Sequence, residues 1–355
     1  MFKFFYVCLL LIYCGHVNGQ HLLSITGQIR NGKGEGIEAA VVLIDGTAIQ
    51  TKSDKNGRFE IPNIPSGTYD IAVRMVGYGP QKKSILVRGS TILNFILEEK
   101  VTLLKEVMIG DDSKRTKNLQ TFKDYFIGRT DNALSCVIEN PDVLSFTTNK
   151  NTLIAEANSF LVIKNKNLGY RIKYFLRNFV YNGDLQLTKY DGECVFEDLI
   201  GSEKEMSRWK SNRKKAYEGS FMHYLRTLHS KDQDKGEFIT HEYIDAKRDL
   251  ISEPIDVYQF VEKLDSNFIK LAFKQKLCVF YNKEGFKKSK DVPIQKELTA
   301  SKYNEKGIYP GVVNMYLDYT IIDKTGHYQD SRSFLLNNKW GRLQVGDRLP
   351  YSYQP

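Results

Sequence analysis

Three basic side chains in one predicted helical region are the strongest candidates for chemistry in this sequence. Arg213, His223 and Arg226 lie within residues 203–229, where apolar residues recur at helical spacing. Arg213 falls among the apolar positions, and His223 lies one turn from Arg226. Guanidinium groups form paired hydrogen bonds with carboxylates, so these three side chains could bind a carboxylate or an acidic sugar. The alternative is structural, with Arg213 paired to a buried acidic residue.

Patterns that would indicate catalysis or metal binding are incomplete in this chain. His241-Glu242 is an adjacent pair rather than an H-E-x-x-H zinc motif. Residues 232–236 begin like a calcium loop, but the glycine comes one position early and no glutamate closes the loop. Ser220 and His223 lie outside any G-x-S-x-G turn, and helix capping accounts for Ser220. The sequence therefore predicts no catalytic residue, no metal site and no cofactor. It favours a non-enzymatic protein and leaves enzymatic activity open.

The elements that would position these residues can be predicted from periodicity. The helical region divides at Gly219-Ser220, and residues 119–126 have the spacing of a shorter helix. Residues 323–326 have the composition of a hairpin turn, and most of the surrounding chain alternates as β-strands do. The predicted strands are 153–163, 170–179, 193–198, 268–273, 276–281, 312–322, 328–335 and 342–345.

Residues 54–78 give the clearest structural prediction. Asp54 can bond its own backbone and Gly57 can adopt a positive φ, so together they predict a turn. Residues 58–61 and 68–74 alternate polar and apolar side chains, which is the period of a half-buried strand. Two prolines between them interrupt the strand ladder and shape the connection. This stretch therefore predicts two antiparallel strands joined by a tight turn.

The same residues resemble a known family, the carboxypeptidase regulatory-like domain. The resemblance rests on D-x-x-G, then F-x-I-x-x-I-P-x-G-x-Y-x-I-x-V, then G-Y, and extends over residues 23–99. It implies a transthyretin-like (prealbumin-like) β-sandwich of about seven strands without catalytic residues, a fold rather than a reaction. The family is widespread in exported bacterial proteins. Residues 209–226 and D-R-L-P at 347–350 are similar to uncharacterised bacterial envelope proteins that carry this N-terminal domain.

The start of the chain has the features of a secretory signal peptide. Lys3 precedes an apolar run, and Gly19 is a small residue at the predicted cleavage point. Lipoprotein processing at Cys14 is the alternative, although the bulky Tyr13 precedes that cysteine. No later segment has the apolar length that a membrane span requires. The predicted location is the periplasm, the outer membrane or the cell surface of a Gram-negative bacterium.

Charge and cysteine content limit the classes of partner. The chain has 51 Lys and Arg residues against 42 Asp and Glu residues, and both signs are spread along it. No nucleic-acid-binding motif accompanies the net charge of +9, so the sequence predicts no nucleic-acid partner. Cys136, Cys194 and Cys278 follow the signal peptide at wide spacing, which predicts buried free thiols and at most one disulfide.

These observations predict a mainly β protein with some α structure. The predicted domains are a signal peptide at 1–19, the sandwich at 20–100, a linker at 101–118 and a larger β-rich α+β domain at 119–355. The predicted function is an exported, non-enzymatic cell-envelope module that binds a protein partner or a glycan. The alternative is a secreted hydrolase of cell-wall or glycan material, whose site lies in the C-terminal domain. A convergent acid pair in a deep cleft would favour that alternative.

Overall fold

A computed structural model describes residues 22–100, 112–231, 236–245, 249–281, 298–299 and 309–355. The predicted signal peptide and most of the predicted linker lie outside these ranges. The described strands form five sheets, which confirms the predicted fold class. No helix in the described ranges is long and apolar enough to cross a membrane. The α-helices are α1 (Asp112–Phe122), α2 (Asp131–Leu134), α3 (Glu203–Tyr217), α4 (Phe221–His229) and α5 (Asn338–Arg342).

The N-terminal part is a β-sandwich, as predicted. Its strands are β1 (Leu23–Asn31), β2 (Val41–Ile44), β3 (Gln50–Lys52), β4 (Arg58–Ile64), β5 (Gly67–Arg74), β6 (Gln81–Val87), β7 (Thr91–Ile92) and β8 (Phe95–Leu97). One sheet has the order β4-β1-β7 with β8 also paired to β1, and the other has the order β3-β2-β5-β6. Alternating apolar residues such as Ile25, Phe59 and Ile71 are buried between the two sheets.

The turn that enters β4 has the conformation that its residue types predict. The Asp54 carboxylate accepts hydrogen bonds from the amides of Asn56 and Arg58, each at 2.8 Å. Gly57 has a φ of +75°, and a Cβ there would lie 2.2 Å from the carbonyl oxygen of Ile29. Only glycine combines that dihedral with that close approach. Local residue types thus determine how the chain enters this strand.

The remainder of the described chain contains three further sheets. Its strands are β9 (Cys136–Ile138), β10 (Leu144–Asn149), β11 (Thr152–Ala157), β12 (Leu161–Asn165), β13 (Tyr170–Asn182), β14 (Leu187–Asp198), β15 (Phe238–Asp245), β16 (Leu250–Ile251), β17 (Val261–Lys263), β18 (Phe268–Leu271), β19 (Leu277–Tyr281), β20 (Leu298–Thr299), β21 (Gly311–Met315), β22 (Thr320–Asp323) and β23 (Phe334–Asn337). The first of these sheets has the order β10-β11-β13-β12-β9, with β14 paired along β13. The other two have the orders β20-β16-β15-β19-β21-β23 and β17-β18-β22.

Two hydrophobic cores lie within this second part. The first packs the β9–β14 sheet against aromatic residues at the end of α1 and just after it, with the rings of Phe122 and Phe126 stacked at 4.7 Å. The second packs α4 and Trp340 of α5 against the other two sheets, and it includes the fully buried Leu225. Each core is separate from the sandwich core. The second part therefore has apolar packing of its own, and a small cluster of Leu43, Ala72 and Val195 joins it to the sandwich.

The predicted helices are present, but one of them has different bounds from those predicted. The helix predicted at 119–126 begins at Asp112, inside the predicted linker, and continues into a π-helical turn, Lys123–Ile127. The helix break at Gly219 is confirmed, because the Ser220 hydroxyl caps α4 by accepting the amide hydrogen of His223 at 3.1 Å.

Two strand predictions merge separate strands, one is wrong over most of its length and one is wrong altogether. Of the predicted strand 328–335, only residues 334 and 335 lie in a strand, β23. The predicted strands at 153–163 and 312–322 each divide in two, giving β11 and β12, and β21 and β22. Residues 342–345 form no strand: they lie between α5 and a short 3₁₀ turn, Val345–Asp347. The alternation there has another cause, since Leu343 packs on the second core and Val345 on the first.

Candidate functional site

Arg213 supports the turn between β12 and β13. Its Nε donates to the carbonyl of Leu168 at 2.7 Å, and its Nη2 donates to the carbonyl of Gly169 at 2.9 Å. The guanidinium lies 3.7 Å from the ring centroid of Tyr170 and pairs with Asp198 at 2.8 Å. The Asp198 side chain is 73% exposed, so this is not the buried ion pair that the structural alternative predicted. Arg213 instead caps backbone carbonyls.

Replacing Arg213 with alanine should lower the free energy of unfolding by about 1–3 kcal/mol, because two carbonyls lose a charged donor. Urea denaturation followed by the fluorescence of Trp209 would measure this loss, since its indole donates to the carbonyl of Lys166 in the same turn. Lys210→Ala, an exposed position on the same helix, is the control and should change stability by no more than about 0.5 kcal/mol. Unchanged stability in Arg213→Ala would contradict a structural role and favour a binding role.

Arg226 is bonded to the C-terminal segment of the chain. Its Nε donates to the carbonyl of Thr325 at 2.8 Å, its Nη1 to that of Tyr353 at 2.9 Å, and its Nη2 to that of Tyr351 at 3.0 Å. The side chain is buried on α4. Two of the three guanidinium nitrogens therefore hold residues 351–353 against this helix, and the third holds the turn at Thr325.

His223 is held neutral beside Arg226. Its Nδ1 accepts the amide hydrogen of Gly219 at 3.2 Å, and its Nε2 lies 3.5 Å from a carboxylate oxygen of Glu237. Desolvation, aided by the charge of Arg226, outweighs the nearby carboxylate of Glu218 and lowers the pKa of His223 to about 4. Both His223 and Arg226 flank the ring of Tyr217, at 4.6 and 5.3 Å respectively. Ligand binding by the three residues stays a prediction, which the Arg213 variant tests.

The sandwich is joined to the second part of the chain by a buried hydrogen-bonded cluster. Asp323, in the predicted hairpin turn, accepts from the amide of Thr68 at 2.8 Å and from its hydroxyl at 3.1 Å. The other carboxylate oxygen accepts from the amide and hydroxyl of Thr325, at 2.7 and 2.6 Å. The Thr68 hydroxyl also lies 2.7 Å from Nδ1 of His327. This is no catalytic triad, because the hydroxyl is buried and the carboxylate contacts it rather than the imidazole ring.

An ion network forms a second part of the same junction. Glu193 on β14 is fully buried between the guanidinium groups of Arg74 from the sandwich, at 2.8 Å, and Arg177 from β13. Arg177 also pairs with Asp191, and Arg74 stacks on the ring of Phe175. Desolvation lowers the pKa of Arg74 to about 10, so the side chain stays charged at neutral pH. The network fixes β5 against the β9–β14 sheet.

Backbone hydrogen bonds complete this junction. The amide of Gly46 donates to the carbonyl of Cys194 at 2.9 Å, and the amide of Phe196 donates to the carbonyl of Thr47 at 2.8 Å. Cys194 is one of three described cysteines, all of them buried and free, which confirms the predicted thiols. Burial raises the pKa of each thiol to about 12, so none of the three supplies a nucleophilic thiolate at neutral pH.

A polar cleft of about 350 Å³ opens beside the junction. The sandwich contributes Ser84 to its lining, and the second part contributes Leu317, Asp318, Tyr319, Thr320, Gln329 and Asp330. Tyr319 is 51% exposed, and Tyr316 in the same connection is 68% exposed. Within the described residues, the side chains of Asp318 and Gln329 form no hydrogen bond to the protein. The cleft thus combines an aromatic surface with polar groups that can contact a ligand.

One carboxylate in the lining of the cleft, Asp330, is held ionised. Arg332 hydrogen-bonds to Asp330 and holds the pKa of that carboxyl below its usual range. A general acid needs the opposite shift, because it must keep its proton near neutral pH. Asp330 is therefore an acceptor rather than a proton donor. No group of three or more His, Cys, Asp or Glu side chains that could hold a metal ion occurs in the described ranges.

The sequence analysis missed this cleft because its lining is dispersed along the chain. Ser84 comes from the sandwich, whereas Asp318 and Tyr319 belong to a stretch that was predicted as continuous strand. The signal that could have found the connection is Y-L-D-Y at 316–319, where two tyrosines flank an acidic residue that interrupts the apolar run. No pattern in the sequence near residues 316–319 predicts that this connection lies beside Ser84 of the sandwich.

Comparison with known proteins identifies the N-terminal domain. Residues 25–109 match the family model described as the CarboxypepD_reg-like domain, which confirms the resemblance inferred from the sequence. No curated protein matches the chain. The matching region is about a quarter of the chain, so the family assignment covers the sandwich and not the second part.

Solved structures share part of the fold. They include an N-terminal interface mutant of a type II cohesin-X-dockerin complex from Acetivibrio cellulolyticus, with 20% identity, 22% of this chain and 58% of that chain covered, and a TM-score of 0.20. A 3-chlorocatechol 1,2-dioxygenase from Rhodococcus opacus is 9% identical in the matched region, which covers 22% of this chain and 60% of the dioxygenase. Its TM-score is 0.20. A DUF3823 family protein from Bacteroides ovatus is 14% identical in the matched region, which covers 50% of this chain and 82% of that protein. Its TM-score is 0.19. The chain spans less than two thirds of the first two, and these likenesses carry no information on activity.

Proposed function

We propose that this protein is a non-enzymatic binding protein of the bacterial cell envelope and that its ligand is a glycan. The observation that carries the proposal is the cleft at the domain junction, where exposed Tyr319 stands beside the unbonded polar side chains of Asp318 and Gln329. The signal-peptide pattern of residues 1–19 supports an exported location.

The lining of the cleft suits the chemistry of a sugar ring. A pyranose has apolar C–H faces and a rim of hydroxyl groups, so it needs an aromatic surface together with hydrogen-bond acceptors and donors. The ring of Tyr319 offers that surface. The carboxylate of Asp318 can accept from two hydroxyls, and the amide of Gln329 can both donate and accept. The cleft volume of about 350 Å³ is at the lower end for small-ligand sites, which suits one or two sugar units.

The domain junction prepares the cleft for binding. The side chain of Ser84, from the sandwich, is held in one position because its hydroxyl donates to Asp70. Asp70 is itself paired with Lys82 at 2.7 Å. On the opposite wall, the Thr320 hydroxyl accepts from Ser333 at 3.0 Å. Side chains that are already fixed lose little conformational entropy when a ligand binds, which favours affinity.

Titration calorimetry of residues 20–355 with a panel of neutral and acidic oligosaccharides tests the proposal. We expect binding by at least one oligosaccharide without its cleavage, and an affinity at least about tenfold weaker in Tyr319→Ala, because the stacking surface is lost. Tyr309→Ala, which removes a ring that is 56% exposed outside the cleft, is the control and should bind normally. Binding that is unchanged in Tyr319→Ala, or found for no oligosaccharide, would refute the proposal. Cleavage of the bound oligosaccharide would establish the hydrolase instead.

A further inference from the structure

The two carboxylates that line the cleft differ in their partners. Asp330 is paired, because Nε and Nη2 of Arg332 donate to its two oxygens at 3.0 and 2.7 Å. Asp318 forms no hydrogen bond or ion pair with any residue in the described part of the chain. Its side chain is exposed to the solvent that fills the cleft. Asp318 is therefore the lining carboxylate that is available to a positively charged ligand.

The other charged side chains next to the cleft are balanced in pairs. Asp70, which accepts from the serine of the lining, pairs with Lys82 at 2.7 Å. Lys270, beside the tyrosine of the lining, pairs with Glu262 at 2.9 Å. Neither pair adds net charge. Among these described residues the negative charge of Asp318 is therefore the one that remains unbalanced, and it gives the cleft a preference for positive charge.

The ring of Tyr319, the next residue in the chain, favours the same sign of charge. The face of an aromatic ring is negative and attracts cations, and the ammonium of Lys270 lies 5.4 Å from the centroid of this ring. Tyr319 and Asp318 both line the cleft, and the tyrosine is 51% exposed. A ligand that has an apolar face and a positive group can therefore use both residues.

We propose that the glycan bound in the cleft carries protonated amino groups, as a glucosamine polymer does, and that Asp318 selects for them. This inference rests on the glycan binding proposed above and names the class of sugar. A pyranose ring would stack on Tyr319, and its ammonium group would donate to the carboxylate of Asp318. Hydrogen bonds between charged groups are stronger than those between neutral groups, so the amino group adds affinity that a hydroxyl cannot supply.

Other classes of sugar fit the charge of the cleft less well. A uronic acid would bring its carboxylate towards the unpaired carboxylate of Asp318, and like charges repel. An acetamido group can donate to Asp318 but carries no charge. Because Asp318 is exposed, water and salt screen its attraction for an ammonium group, so we expect a preference of about three- to fivefold over the acetylated sugar.

Titration calorimetry of residues 20–355 with tetramers of glucosamine, N-acetylglucosamine and galacturonic acid tests the inference. The buffer is mildly acidic, so that the sugar amines are protonated while carboxylates stay ionised. The glucosamine tetramer should bind about three- to fivefold more tightly than its acetylated form, and added sodium chloride should reduce this ratio. Asp318→Asn should abolish the ratio, because the amide keeps an acceptor and loses the charge. Asp256→Asn, at an exposed carboxylate outside the cleft, is the matched control and should leave the ratio unchanged.

The outcomes separate this inference from glycan binding itself. Equal affinity for the glucosamine and N-acetylglucosamine tetramers, with binding that Tyr319→Ala still weakens, would overturn the preference for amino groups and leave glycan binding intact. A preference that persists in Asp318→Asn would overturn the role of Asp318. A lysine tetramer that binds as tightly as the glucosamine tetramer would show that the cleft recognises charge without a sugar ring. Binding by no oligosaccharide at all would overturn both proposals.

Discussion

Replacing Glu193 with alanine should lower the free energy of unfolding by about 3–5 kcal/mol, because it leaves buried positive charge without its partner. Glu193 is fully buried between Arg74 and Arg177, which approach it from the sandwich and from β13. In the variant, Arg74 would keep its stacking on Phe175 and lose its acceptor. Urea denaturation followed by far-ultraviolet circular dichroism would measure the loss.

Two further variants distinguish the cost of an unpaired buried charge from the cost of losing any ion pair. Arg74→Met combined with Glu193→Met should recover part of the loss, because one buried charge of each sign is removed together and Arg177 keeps Asp191. Glu262→Ala breaks a surface pair with Lys270 and should cost no more than about 1 kcal/mol. If Glu193→Ala lowers the free energy of unfolding as little as Glu262→Ala does, water must reach the guanidinium groups of Arg74 and Arg177 at the junction.

Replacing Asp323 with alanine should cost about 3 kcal/mol and should weaken the coupling between the sandwich and the rest of the chain. Its carboxylate accepts hydrogen bonds from Thr68 in the sandwich and from Thr325 in its own turn. Without the carboxylate, these buried donors lose their acceptor. Both tryptophans of the chain, Trp209 and Trp340, lie outside the sandwich, so their fluorescence reports the second part only. If the coupling is weakened, the sandwich and the second part should unfold at different urea concentrations in the variant. The tryptophan fluorescence would then report one transition, and amide hydrogen exchange at Thr68 would report the other.

The matched control is an aspartate with local bonds only. Asp256 accepts from the amide of Tyr258 at 2.9 Å and is exposed, so Asp256→Ala should cost about 1 kcal/mol without affecting exchange at Thr68. Asp323→Asn, which keeps one carbonyl oxygen, should fall between the alanine variant and the unaltered protein. Equal losses at the two aspartates would contradict a coupling role for Asp323.

The junction also limits how the protein can respond to a ligand. Ser84 and the 317–320 connection face each other across the cleft, and the sandwich that carries Ser84 is fixed at Thr68, Arg74 and Gly46. A rigid arrangement of this kind favours recognition by a preformed site over closure around the ligand.

Features that depend on neighbouring residues could be predicted from the sequence. The turn at Asp54 and Gly57, the break at Gly219 with its cap at Ser220, and the N-terminal sandwich all follow from bonds and dihedrals within a few residues, or from a strand period repeated along the chain. The type of each of these elements could therefore be predicted before its partner was known.

Contacts between distant residues could not be predicted from the sequence, because they depend on how the elements pack. Asp323 was predictable as a turn residue, but its contact with Thr68 joins positions 255 residues apart. Arg213 stood out among apolar positions, yet its acceptors are backbone carbonyls, which every residue possesses and which no side-chain pattern marks. Leu343 and Val345 alternate like a strand because they pack on two different cores. Hydrophobic periodicity records that a side chain is buried, and it does not record which surface buries it.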